Sequence, residues 1–404
     1  MLTRLSKIFK EINAYLVGAS VRDMILGAKP QKIEVVARCL PHKLLEIGAT
    51  PISRQAEFPV FSFYNEFLGN IQITLPRGAK GAVDACCNPY LSIEEDLATR
   101  DFTINAIAID IHTGSRIDPF AGYADLTCGL LRHVSGKFFT NPLGVFQAYR
   151  LCTKGLTLAP ETRALIKRIG IDEFAGIPAE RVYDELIEAM AGEHPARFFT
   201  EMVTTGGGLT VFGEVFFMAR IPAGPPEFHG DESILEHSVE ILKRVAVMTP
   251  DPIFRLSAFF HDVGKVLSPM AEWPHHYGHD VAGANTIETR FRALKAPVEV
   301  IQAVSAVCAL HMKAQKWDQM RSGAALDLAS SAHNSGVDRI LPLVVKADTG
   351  RDMRGWDAAL EISGLSASHL GIESEWIDGH NDEQVQALVL QRRAELFKGV
   401  LAAA

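Results

Sequence analysis

Phe259-Phe260-His261-Asp262-Val263-Gly264-Lys265 closes an apolar helical pattern (Ile253, Leu256, Phe259, Phe260) with an imidazole and a carboxylate side by side. The rim of a core is a costly place for two polar groups unless something binds both. A divalent cation does so, because neutral imidazole nitrogen and carboxylate oxygen are its usual protein ligands. The bland alternative is a helix-end aspartate beside a core histidine. Working outward, eight of the 14 histidines (His229, His237, His261, His275, His276, His279, His311, His333) lie between positions 229 and 333. His237 comes about one helix upstream, behind the capping-box pair Ser233 and Glu236. Asp348 follows the apolar run Val344-Val345 far downstream.

The order His237, His261-Asp262, Asp348 resembles the HD metal-dependent phosphohydrolases. That resemblance implies that these four side chains bind a metal, with Lys265 free to contact a phosphate. Pro274-His275-His276-Tyr277-Gly278-His279-Asp280 and Leu310-His311 supply extra histidines of the kind found in many members. His276, His279 and His311 are therefore further candidate ligands, either for a second ion or for protonating a leaving oxygen.

At 404 residues the chain has length for two to four compact units. It is 48% hydrophobic without a run of 18 apolar residues, so no transmembrane helix is indicated. Met1 to Lys10 has basic-amphipathic character but lacks the apolar stretch of a signal peptide. Six cysteines (Cys39, Cys86, Cys87, Cys128, Cys152, Cys308) show neither zinc spacing nor a disulfide framework, which makes the cytoplasm the expected compartment. The net charge of −8 excludes a uniformly basic nucleic-acid surface but leaves room for a local basic groove.

From the N-terminus, Tyr15-Leu16-Val17-Gly18-Ala19-Ser20-Val21-Arg22-Asp23 reads as a buried strand, a small-residue turn and a helix ending at Gly27. Such a turn suits phosphate, although one glycine and one arginine fit an ordinary strand-turn-helix equally well. Gln31 to Val36 is a second strand. Leu91 to Ala108 follows, containing Arg100-Asp101-Phe102-Thr103-Ile104-Asn105, and then Ile117-Asp118-Pro119-Phe120 and Gly129-Leu130-Leu131-Arg132-His133-Val134. Together these segments resemble the bacterial tRNA nucleotidyltransferases, the CCA-adding enzymes with a C-terminal HD domain. The resemblance runs from about Tyr15 to the C-terminus.

That family implies two-metal nucleotidyl transfer by an Asp-x-Asp pair on a strand. Lys32 and Glu34 occupy those positions here, which replaces one ligand by a cation and lengthens the other. The Gly-Gly of the phosphate turn is Gly18-Ala19. The family's Ala-Arg-x-Glu strand aligns with Leu75-Pro76-Arg77-Gly78, which lacks the acid and puts a proline in the strand. The neck motif reads Asn141-Pro142-Leu143-Gly144-Val145-Phe146-Gln147-Ala148-Tyr149-Arg150, with two of three arginines gone. Gly18, Arg22, Arg100 and Arg150 survive as a vestigial nucleotide site, and Pro178-Ala179-Glu180-Arg181-Val182 keeps the neck-helix pattern. These losses fall in one pocket, so the expectation is a head without transfer chemistry.

The fold class expected is an α+β nucleotidyltransferase-like head, with a mixed sheet and helices, over residues 1–134. An all-α remainder follows: a neck of RNA-binding type at 135–226, an HD domain at 227–356 and a helical tail at 357–404. Pro222-Ala223-Gly224-Pro225-Pro226 is the clearest boundary. The first function expected is a metal-dependent phosphodiesterase or phosphatase using Mg, Mn, Ni or Co. It would act on RNA 3′ ends or nucleotides, with His261, Asp262 and Lys265 catalytic and the tRNA acceptor end as a candidate partner. The alternatives are a surviving transferase in which Glu34, Asp96 or Asp101 takes over ligation, and a non-catalytic RNA- or nucleotide-binding regulator.

Overall fold

The computed structural model describes residues 1–30, 32–52, 60–78, 88–136 and 142–403. Gln31, Cys86, Cys87 and Asn141 lie outside them. Two compact units divide the chain, Met1–Ile169 and Gly170–Ala404.

The first unit is built on a mixed sheet of seven strands among the described residues: β1 Asn13–Val17, β2 Ile33–Arg38, β3 Thr50–Pro51, β4 Val60–Asn65, β5 Gly69–Thr74, β6 Ala108–Asp110 and β7 Arg116–Ile117. Their order is β3-β4-β5-β2-β1-β6-β7, with β2 parallel to β5 and every other pair antiparallel. The period-2 alternation of a strand assigns the two faces. Leu16, Val35, Ile71 and Ile73 pack on one side with Leu5, Phe9, Val21 and Leu44 from flanking helices. Their neighbours Val17 and Val36 pack on the other with Ile93 and Leu97. Strand β5 stops at Thr74, one residue short of Leu75 and two short of Pro76. The segment Leu75–Gly78 is thus outside the sheet, because proline has no N–H to give the ladder.

The second unit is helical. Pro178-Ala179-Glu180-Arg181 opens the helix Ala179–Met190, and Gly206, at φ +82°, ends the helix Ala196–Thr205 in the left-handed conformation that favours glycine. The helix Ile234–Met248 starts on the capping box of Ser233 and Glu236. Asp251 caps the next helix, Pro252–Phe260, by accepting from the Ile253 and Phe254 N–H groups. Arg255 on that helix is 6% exposed, yet its guanidinium donates to the carbonyls of Met190, Gly192, Ala246 and Thr249 at 2.7–2.9 Å. One buried cation thereby serves the carbonyl-rich C-termini of two helices. Phe259 stacks on Phe199 with centroids 3.5 Å apart, and Phe260 sits edge-on to Phe291. The last helix, Asp382–Ala403, returns Phe397 to a core with Trp317 and Trp356.

Candidate metal centre

Asp262 is the hub of the site. It is 3% exposed, just past the end of the Pro252–Phe260 helix, and both carboxylate oxygens meet nitrogens. Oδ2 lies 3.3 Å from His261 Nε2, 3.5 Å from His237 Nε2 and 2.6 Å from Lys265 Nζ. Oδ1 lies 3.2 Å from His279 Nε2 and 3.3 Å from His311 Nε2. Asp348, near the end of the helix Ile340–Thr349, completes the first set at 3.2 Å from His237 and 4.0 Å from His261. Gln315 donates to Asp348 Oδ2, the oxygen that faces His261. The four residues expected to hold one ion are therefore together, and His279 and His311 form a second set across the same carboxylate.

The tautomers decide what these sets can do. His261 donates its Nδ1–H to the Ala258 carbonyl at 2.8 Å, His279 to His276 O at 2.5 Å and His311 to Cys308 O at 2.7 Å. In its neutral form each ring turns an Nε2 lone pair into the pocket. His279 Nε2 and His311 Nε2 stand 3.2 Å apart with Asp262 Oδ1 beside them, and in the neutral rings these are three acceptors converging on one point. His261 Nε2 is buried without a hydrogen-bond partner among the described residues. Lone pairs facing one another in a dry pocket repel unless a cation or a proton stands between them. The donor set fits a divalent metal of the imidazole–carboxylate class.

Without metal, a proton is the substitute. Burial works against charge on His261, but the adjoining Asp262 and Asp348 outweigh it and lift the imidazole to about 9. Burial likewise opposes charge on Asp262, and His261 and Lys265 overcome it, holding that carboxyl well below the usual range. Asp348 is lowered too, against burial, by its bond from His237. Burial lowers His311, which keeps it neutral. Cys308 donates its thiol to Phe260 O, and burial pushes it far above its ordinary value, so it is no thiolate ligand.

Two residues read from the sequence are used differently from what was expected. Lys265, expected to be free for phosphate, is 7% exposed and spends its ammonium on Asp262 and on the Ala223 carbonyl at 2.7 Å. His276 belongs to neither ligand set; its Nε2 donates to Pro222 O at 2.8 Å, and its buried Nδ1 lacks a partner among the described residues. Gly264 carries a role that sequence reading missed. A Cβ there would meet the His279 carbonyl at 2.0 Å and Gly283 N at 2.4 Å, so only glycine lets the helix His279–Ala293 reach the Asp262 turn.

In the head, Gly18, Arg22 and Arg100 lie around Glu34 and Asn105. Gly18, at φ +64°, lies under the Glu34 carboxylate, and a Cβ there would meet Glu34 Oε2 at 2.2 Å and Arg100 Nη1 at 3.3 Å. Ser20 joins turn to strand by donating to Lys32 O and accepting from Glu34 N–H. Arg22 donates to Asn105 Oδ1 at 3.1 Å and feels the charges of Arg150 and Glu34, while burial lowers it. Asp96 is fully buried and committed to the Arg100 side chain and the Arg77 N–H. Among the described residues, the groups of three or more His, Cys, Asp or Glu close enough to hold a metal all lie between His229 and His311; none includes Glu34, Asp96 or Asp101.

Residues 14–132 match the poly A polymerase head domain, 155–209 the probable RNA and SrmB-binding site of polymerase A, and 234–339 the HD domain. The multifunctional CCA protein of Nitrosococcus oceani is 34% identical over 325 residues, 78% of this chain and 79% of the relative. That of Stenotrophomonas maltophilia is 34% identical over 326 residues, again 78% and 79%. Among solved structures, the Thermotoga maritima CCA-adding enzyme complexed with tRNA superposes with a TM-score of 0.66 at 17% identity, covering 100% of this chain and 94% of that one. The Bacillus stearothermophilus CCA-adding enzyme in complex with CTP gives 0.62 at 20% identity, covering 98% and 93%. Among the described residues, no helix is long and apolar enough to cross a membrane.

Proposed function

The chain belongs to the multifunctional CCA protein family of tRNA nucleotidyltransferases, and on that premise we propose that its HD domain is a divalent-metal-dependent phosphohydrolase acting on phosphodiesters or phosphomonoesters of nucleotides and RNA 3′ ends. The observation that carries this reading is the convergence of imidazole Nε2 atoms on the two oxygens of Asp262, with the Nδ1 of three of the rings spent on backbone carbonyls. His237, His261, Asp262 and Asp348 would hold one ion, and Asp262, His279 and His311 a second. When bound, such an ion lowers the pKa of a coordinated water and polarises a phosphoryl oxygen. The protein's own part is orientation: three backbone carbonyls fix the imidazole tautomers, and Lys265 keeps Asp262 ionised. Lys265 is thus a positioning residue in this arrangement.

The comparisons favour a second reading for the head, nucleotide addition to tRNA, over a head without activity. The head-domain match spans residues 14–132, the curated relatives are named for CCA, and a solved neighbour is complexed with CTP. The residues that weigh against it are Lys32, a cation where the family carries a metal ligand, and Glu34, which is longer than the aspartate it replaces. RNA, with the tRNA acceptor end foremost, is the partner proposed under either reading.

Both readings are tested on one preparation. Hydrolysis of a 2′,3′-cyclic nucleotide is followed with Mg²⁺, Mn²⁺, Ni²⁺ or Co²⁺ and with chelator, beside CTP and ATP incorporation into tRNA lacking its terminus. Metal-dependent turnover lost in Asp262→Asn supports the HD hydrolase, and absence of hydrolysis with every metal sinks it. Incorporation by the unaltered protein establishes the head as a transferase despite Lys32.

A further inference from the structure

The segment Ile221–Ser233 carries two groups that the HD chemistry does not use. It folds on itself as a short antiparallel turn: Ala223 N–H donates to Glu232 O at 2.8 Å, Ile234 N–H donates to Ile221 O at 2.9 Å, and Pro222 bridges Ser233. Its first limb is tied to the metal centre, because the Pro222 and Ala223 carbonyls accept from His276 and Lys265. Its second limb brings His229 and Glu232 back toward His237. The His229 ring stands perpendicular to that of His237, centroids 5.0 Å apart. It is seated against Gly224, where a Cβ would meet His229 Cδ2 at 2.4 Å. The ligand atoms of His229, Glu232 and His237 lie within 4.8 Å of one another.

We propose that His229, Glu232 and His237 form a further divalent-cation position at the mouth of the metal centre, suited to an ion of the Zn, Ni or Co class, which competes with the inner position for His237. Two imidazoles and one carboxylate make a donor set for those ions, whereas Mg²⁺ prefers oxygen ligands and retained water. A neutral imidazole has one lone pair. An ion held by His229 and Glu232 therefore takes His237 away from His261, Asp262 and Asp348. The outer position is the more accessible, since Glu232 is exposed and His229 half-buried while His237, His261 and Asp262 are buried. With one carboxylate where the inner set has two, it is also the weaker. Excess transition metal then inhibits where limiting metal activates. The inference rests on the HD reading for the inner position alone.

Ni²⁺ titration of the full-length protein by calorimetry, with bound metal counted by mass spectrometry, tests this on wild type, His229→Ala and Glu232→Gln. Wild type is expected to show tight uptake followed by a weaker event, and cyclic-nucleotide hydrolysis that rises and then falls as Ni²⁺ increases. Both variants keep the tight uptake and lose the weaker event and the falling limb; Mg²⁺ gives no falling limb with any of the three. Glu232 is exposed, so its variant reads the site even where His229→Ala unfolds. A weaker event that persists in both variants, or one absent from wild type, overturns the outer position. A weaker event lost in the variants, with no hydrolysis by any protein, supports the outer position and sinks the HD hydrolase instead.

Discussion

Gly264→Ala is the sharpest probe of how the fold builds the metal centre. The added methyl would lie 2.0 Å from the His279 carbonyl oxygen and 2.8 Å from Gly283 Cα, both backbone atoms that no rotamer change can move. Those separations fall about 1–1.5 Å short of ordinary non-bonded contact, so the helix His279–Ala293 must shift by roughly that much. Overpacking of this kind costs about 1–3 kcal/mol. In a unit of this size that lowers Tm by about 2–4 °C per kcal/mol. The larger effect falls on the site, because His279 leads the displaced helix and sits 3.2 Å from Asp262. Its set with His311 should lose metal while His237, His261, Asp262 and Asp348 keep theirs, and a misplacement near 1 Å can cost on the order of 100-fold in turnover. The assay is bound metal per chain, read beside thermal unfolding and cyclic-nucleotide hydrolysis. Unchanged metal stoichiometry and turnover in a folded Gly264→Ala protein would refute the reasoning.

The other predictions follow from charges and their partners. Arg255→Met leaves four helix-end carbonyls without their donor, and urea unfolding should show a loss of about 3–5 kcal/mol; a change under 1 kcal/mol would contradict the role. In the metal-free protein His261 is raised to about 9, so its ion pair stabilises fully below about 6.5 and the contribution fades as pH rises through 9. Metal must displace that proton, so between pH 7 and 8 uptake should release protons, seen as calorimetric heats that vary with buffer ionisation enthalpy; heats independent of buffer would argue against a protonated His261. In the head, Lys32→Asp should raise CTP and ATP incorporation if the cation at that position is what hinders transfer, and equal incorporation by both proteins would show that it does not.

The metal ligands were legible because each is fixed by a local signal on its own element. His237 follows a capping box, His261-Asp262 ends an apolar helix and Asp348 comes near the end of another, and it was the resemblance of that order to the HD phosphohydrolases that grouped them. The mixed sheet was expected from the resemblance of the head to the tRNA nucleotidyltransferases, with only its first two strands read from the residues themselves. What the sequence withheld depends on backbone groups far along the chain. Lys265 is claimed by the carbonyl of Ala223, 42 residues upstream, and His276 by that of Pro222, 54 residues upstream. A carbonyl leaves no mark in a side-chain pattern, so both residues looked available to a ligand. Arg255 read as one polar residue in an apolar helix, yet the ends of two other helices supply its acceptors. Gly264 gave a partial signal: a glycine beside the ligand pair invites the question of what comes close there. The answer, Gly283, faces it from the helix that carries His279. The two glycines set the depth at which a second group of imidazoles meets Asp262. In this centre the ligands are chosen by side chains, and the distances between them by places where a side chain is missing.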